Sequence, residues 1–145
     1  MKRLFVAAVL IAAALSMTFA QTSSNVTYVD HEKVATAIAN GGQLATGSDF
    51  AVSIAKRTSA GQVEIHDKET DTFYVIDGEA TFVTGGTMLG GRVSRPNQQL
   101  GTDIQGGQSH HLVQGDVITI PLGTPHWFKE VTKPITYYMV KIIRP

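Results

Sequence analysis

The sequence predicts an all-β fold, a barrel or double-sheet jelly roll, entered through one short N-terminal helix. Two observations carry that expectation. Beyond residue 45 the apolar residues alternate with polar ones in short runs, the period of a strand with one buried face. Glycine pairs and glycine-containing dipeptides separate those runs, and many short strands with glycine turns are the pattern of closed or double-sheet β architectures.

The elements follow in chain order. Lys2 and Arg3 precede the apolar run 4–15, and Thr18 and Ala20 supply small residues before Gln21. A charged head, a short apolar stretch and small residues at a cut site describe a signal peptide over 1–20, and the run is too short to span a bilayer. The expected location is therefore periplasmic or secreted, with no membrane span left after cleavage. Residues 21–44 form an N-terminal extension. Within it "DHEKVATAIANGG" reads as a helix: Asp30 caps it, Val34 and Ile38 share a face, and Gly41 and Gly42 end it. The barrel is expected over 45–145. Its strand candidates are 50–57, 62–66, 72–77, 79–84, 110–114, 117–121, 126–131 and 135–143. Asp77-Gly78, Gly85-Gly86, Gly90-Gly91, Gly106-Gly107 and Gln114-Gly115 read as hairpin punctuation. Residues 85–109, rich in glycine and polar side chains, read as a long hairpin or loop insertion of functional length.

Composition narrows the chemistry. The 145 residues suit one domain, and the charges balance at 12 basic against 12 acidic. No basic patch points to nucleic acid. There is no cysteine, which removes disulfides, thiolate nucleophiles and thiolate metal sites.

The chemistry-bearing residues lie in two places. In "QVEIH", Glu64 and His66 are two apart and face the same way on a strand, and Asp71 opens the next strand. In "GDVITIPLGTPHWF", Pro121, Gly123 and Pro125 impose a stiff turn that fixes the direction of His126. Two imidazoles with one or two carboxylates inside a barrel make a site for divalent Fe, Mn, Ni, Co or Zn.

These stretches resemble the cupin superfamily. Its second motif, a glycine, five residues, Pro-x-Gly, two residues and a histidine, is matched by Gly115, Pro121, Gly123 and His126. Its first motif is matched in spacing by His66, Asp71 and Gly78. Glu64 stands where the motif has its first histidine, and Asp71 where it has glutamate. The resemblance implies a double-stranded β-helix with metal positions at His66, Asp71 and His126, Glu64 serving as a further ligand or as a general base. It also implies a small-molecule ligand or substrate and pairing as a homodimer. Isomerase, lyase and dioxygenase chemistry stay open, as does binding without turnover. His110 and His111 face opposite ways on a strand, and His31 belongs to the helix surface. Arg57, Arg92 and Arg95 are candidates for steering an anion or ordinary surface charges.

Overall fold

A computed structural model describes residues 25–145 as one helix and eleven strands. The expected signal peptide and its cut after Ala20 lie outside the described residues. No helix among the described residues is long and apolar enough to cross a membrane.

Helix α1 (His31–Asn40) begins where expected, the Asp30 carboxylate accepting from the Lys33 N–H at 2.9 Å. Gly41, at φ +75°, ends it. Its inward face carries the buried Ala37 and the half-buried Val34, while the expected Ile38 is exposed.

The strands are β1 (Gly42–Thr46), β2 (Phe50–Arg57), β3 (Val63–His66), β4 (Glu69–Thr84), β5 (Thr87–Leu89), β6 (Arg92–Arg95), β7 (Gln98–Gly101), β8 (Asp103–Gln105), β9 (Gln108–Val113), β10 (Val117–Ile120) and β11 (His126–Ile143). Two of them dominate. β4 and β11 run antiparallel from His126↔Thr84 to Ile143↔Glu69 and form the spine of the barrel. β2 flanks the later half of β11, and β3 meets its start at His126↔Glu64. β9 and then β10 line the other edge of β4.

The expected break between strands 72–77 and 79–84 is not a turn. β4 runs through it, and Gly78, at φ +87°, sits in an irregular part of the ladder. The inward parity changes there: Asp71, Phe73 and Val75 are buried before it, Ala80 and Phe82 after it. A Cβ on Gly78 would overlap the Pro134 carbonyl, so close approach and positive φ both require glycine. β11 likewise absorbs the break expected between 131 and 135. Its inward set passes from His126 and Phe128 to Ile135 and Tyr137 across several register shifts. Gln114-Gly115 is no hairpin either. The chain bends there and continues along β4, with the Gly115 N–H on the Val75 carbonyl and the Val75 N–H on the Asp116 carbonyl, both 2.9 Å.

The 85–109 insertion is built from strands. β5 pairs with β8, and β6 with β7. β7 then folds back onto β3, from Val63↔Gly101 to His66↔Gln98. The insertion thereby extends the sheet beside Glu64 and His66.

The core is an aromatic cluster. Phe128 lies 4.6 Å from Phe82 and 5.2 Å from Tyr137 between ring centroids, and Phe73 lies 4.8 Å from Tyr137. Val75, Ala80, Leu112, Ile120 and Ile135 pack around it. Such rings each bury a large apolar area, and their edge and offset contacts add about 0.5–1.5 kcal/mol per pair. Phe82 also reaches the His126 ring at 6.1 Å, so the core forms the floor beneath the site.

Candidate metal centre

The turn before His126 is fastened to the strand that carries the other histidine. The Gly123 N–H donates to the His66 carbonyl at 2.8 Å, and the Pro125 carbonyl accepts from the Gly85 N–H at 2.9 Å. The two rings it brings together lie 5.1 Å apart. Both are buried, His66 at 4% and His126 at 6% exposure, as is Asp71 at 2%.

His126 Nδ1 sits 3.0 Å from the Thr124 carbonyl. A carbonyl only accepts, so Nδ1 carries the proton and Nε2 is left with a lone pair. Burial pushes the His126 pKa down, as does the neighbouring His66. The Thr124 carbonyl and the Asp71 and Glu64 carboxylates oppose them. The balance favours the neutral ring that a metal needs.

His66 Nε2 faces Glu64 Oε2 at 3.4 Å and Asp71 Oδ2 at 3.5 Å, and His126 Nε2 lies 4.0 Å from the same Asp71 oxygen. All four residues expected at the site therefore converge. Glu64 is the least buried of them. Burial works against its charge, but the contact with His66 and the charges of His126, His66 and Arg57 outweigh it and hold its pKa at about 2.

One orphan tests whether a cation fits. His66 Nδ1 is buried without a hydrogen-bond partner, 3.7 Å from Glu69 Oε2. With Nε2 protonated toward Glu64 and Asp71, Nδ1 stays bare and unsatisfied, a costly state for a buried polar atom. A metal at Nε2 would move the proton to Nδ1, facing Glu69. Metal-ligating histidines characteristically donate their second N–H to a carboxylate in this way. The donor set thus fits a divalent ion, through Glu64, His66 and His126 or through His66, Glu69 and Asp71.

Lys141, Glu69 and Gln98 escaped the sequence reading, whereas Arg57 and Arg95 were among its candidates. Lys141 Nζ lies 2.8 Å from both Asp71 oxygens and 2.8 Å from Glu69 Oε2. The Lys141 hydrogen bond and charge draw the Glu69 pKa down against the opposing effect of burial, the largest single influence. Arg57 approaches Glu64 Oε1 at 3.5 Å. From the insertion, Gln98 donates to Glu64 Oε2 at 3.4 Å and Arg95 lies 3.9 Å from Glu69. Lys141, Arg57, Gln98 and Arg95 border a cavity of about 230 Å³ that both imidazoles also line, with Glu69 behind its wall. The signal for Lys141 was present in "ITYYMVKII": it shares the alternation phase of Tyr137 and Met139, which also line the cavity. His110 stays outside, bonded through Nε2 to Thr84 Oγ1 at 2.8 Å, and His111 and His31 are exposed. Arg92 is exposed and does not border the cavity.

No protein-family model matches the sequence, and no curated protein matches it. Solved structures do. A Bacillus halodurans protein, BH2720, aligns at a TM-score of 0.57 and 17% identity over 85% of this chain and 86% of that one. The TT1209 protein of Thermus thermophilus gives 0.54 and 15% over 83% and 100%. The cupin domain of Cnp3 from Schizosaccharomyces pombe gives 0.52 and 11% over 72% of this chain and 60% of that one. At these identities the likeness is one of fold.

Proposed function

Starting from a chain that has the cupin fold, we propose that it is an exported protein that binds one divalent metal ion in the barrel and acts on a small polar organic molecule. The observation that carries this reading is the convergence of His66 Nε2 and His126 Nε2 on Asp71 Oδ2, with Glu64 beside them. Glu64, His66, Asp71 and His126 are the candidate ligands, and imidazole with carboxylate suits Mn, Fe, Co, Ni or Zn.

A bound ion supplies Lewis-acid polarisation of a substrate oxygen. The residues do the rest. The Thr124 carbonyl keeps His126 in the ligating tautomer. Glu69 stands ready for the His66 Nδ1 proton. Lys141 bridges the Asp71 and Glu69 carboxylates next to the rings and offsets one of their two charges. Of the two roles open to Glu64, ligation is the better supported, because its carboxylate clusters with the His66 and His126 nitrogens in a set that could hold one ion. The second reading, a binding protein without turnover, is favoured by Glu64 standing where the cupin motif has its first histidine.

Metal analysis of the protein purified from its native compartment tests the proposal. About one ion per chain is expected, lost in His126→Ala, and N-terminal sequencing should begin at Gln21. A metal-free wild type holding an organic ligand would favour the second reading.

A further inference from the structure

Building on the metal reading above, we propose that the cavity is a site for a small organic carboxylate, anchored by Arg57 and bound tightly only when the divalent ion is present. The charges around the cavity carry this inference. Three cations, Arg57, Arg95 and Lys141, face three carboxylates, Glu64, Glu69 and Asp71, and each cation lies within 4.0 Å of a carboxylate. The imidazoles must be neutral to hold a metal. The side chains are therefore balanced by themselves, and a divalent ion adds two positive charges to a half-enclosed pocket. A carboxylate offsets part of that added charge, and a neutral ligand offsets none.

Arg57 is the cation prepared to receive it. Its Nε sits 3.2 Å from the Tyr137 hydroxyl oxygen, and its guanidinium lies 4.8 Å above the Phe128 ring. Two contacts thus fix the plane of the guanidinium, while its link to Glu64 is long at 3.5 Å. A planar fork with free donors is matched to a carboxylate. Lys141 is committed to Asp71 and Glu69 and is not free in this way. Phe73, Trp127 and Met139 also border the cavity and offer an apolar wall that an organic anion uses and an inorganic one does not. The volume of about 230 Å³ lies below the ~300–1,000 Å³ of usual small-molecule pockets, which restricts the guest to a few heavy atoms.

The experiment measures Mn2+ binding by electron paramagnetic resonance and ligand binding by calorimetry, comparing lactate with lactamide and acetate with acetamide. Each carboxylate should bind the Mn-loaded protein at least tenfold more tightly than its amide. That preference should shrink at least tenfold without metal, and lactate should tighten Mn2+ binding by the same factor, because such coupling is reciprocal. Arg57→Lys, which keeps the charge and loses the fork, should lower the preference about tenfold while still binding Mn2+. Equal binding of carboxylate and amide, with Mn2+ bound, would overturn the carboxylate site and leave the metal reading standing. An unchanged preference in Arg57→Lys would overturn the role of Arg57. Failure of the wild type to bind any of Mn2+, Fe2+, Co2+, Ni2+ and Zn2+ would overturn both readings together.

Discussion

Replacing Lys141 with methionine removes the one cation among the described residues that touches both Asp71 and Glu69. Lys141 is 18% exposed, Asp71 3% and Glu69 13% in their side chains, so the cluster is substantially shielded. Three contacts of 2.8 Å disappear at once. An exposed ion pair is worth about 0–1 kcal/mol, whereas removing one partner of a buried pair costs about 3–5 kcal/mol because a charge is left unpaired. The second figure applies to Asp71. Urea denaturation of the metal-free protein should therefore show a loss of about 3–5 kcal/mol, and thermal melting a drop on the order of 10 °C. Lys141→Arg, which keeps the charge, should lose less than half as much. Millimolar Mn2+ should restore much of the methionine variant's stability, since His66, Glu69 and Asp71 can together hold a cation. A loss below about 1 kcal/mol, the range of an exposed pair, would show that the barrel does not depend on this cation and would refute the reasoning.

Three further outcomes follow from the same geometry. Gly78→Ala places a side chain at φ +87° against the Pro134 carbonyl and should cost more than about 2 kcal/mol by urea denaturation; Gly115→Ala, also at positive φ but in open space, should cost less. The His126 pKa is depressed by burial from 6.5, so the unfolded chain takes up a proton first as pH falls; the stabilisation is present above 6.5 and declines below it. Denaturation midpoints of the metal-free protein from pH 7.5 to 5 should fall, and a midpoint that rises over that range would contradict a neutral buried ring. Trp127, the only tryptophan, lines the cavity with its indole N–H held on the Gly61 carbonyl at 2.8 Å; Co2+ or Ni2+ should quench its fluorescence saturably in the wild type and not in His126→Ala.

The sequence carried the architecture further than its details. Alternation located β2, β3, β9 and β10 to within two residues, and in β9 and β10 the less exposed residues keep one phase, His110 with Leu112 and Ile118 with Ile120. It failed at Gly78 and between Thr132 and Pro134, where the ladder is irregular and the buried phase changes. A change of phase looks like the end of one strand and the start of another, although the chain passes straight through. The glycine rules misread Gln114-Gly115 for a related reason, since positive φ serves a bend as readily as a reversal. The site was legible where spacing fixes direction: Glu64 with His66 on one strand face, and His126 at the end of a stiff turn. Lys141 and Gln98 were not found, because each reaches the site through pairings distant in sequence, whereas Glu69, three residues from His66, was passed over within a charged run. β7 of the insertion lies beside β3 only because the barrel closes, and no local period in residues 85–109 encodes that contact.

The central claim is that one ion joins two histidines sixty residues apart in the chain. Crystals grown with Mn2+ or Zn2+ and measured at the metal's absorption edge test it most directly. The account predicts a single anomalous peak per chain within about 2.0–2.3 Å of both His66 Nε2 and His126 Nε2. A peak bound to one ring alone, or bound elsewhere while both rings keep hydrogen-bonded partners of their own, would contradict it.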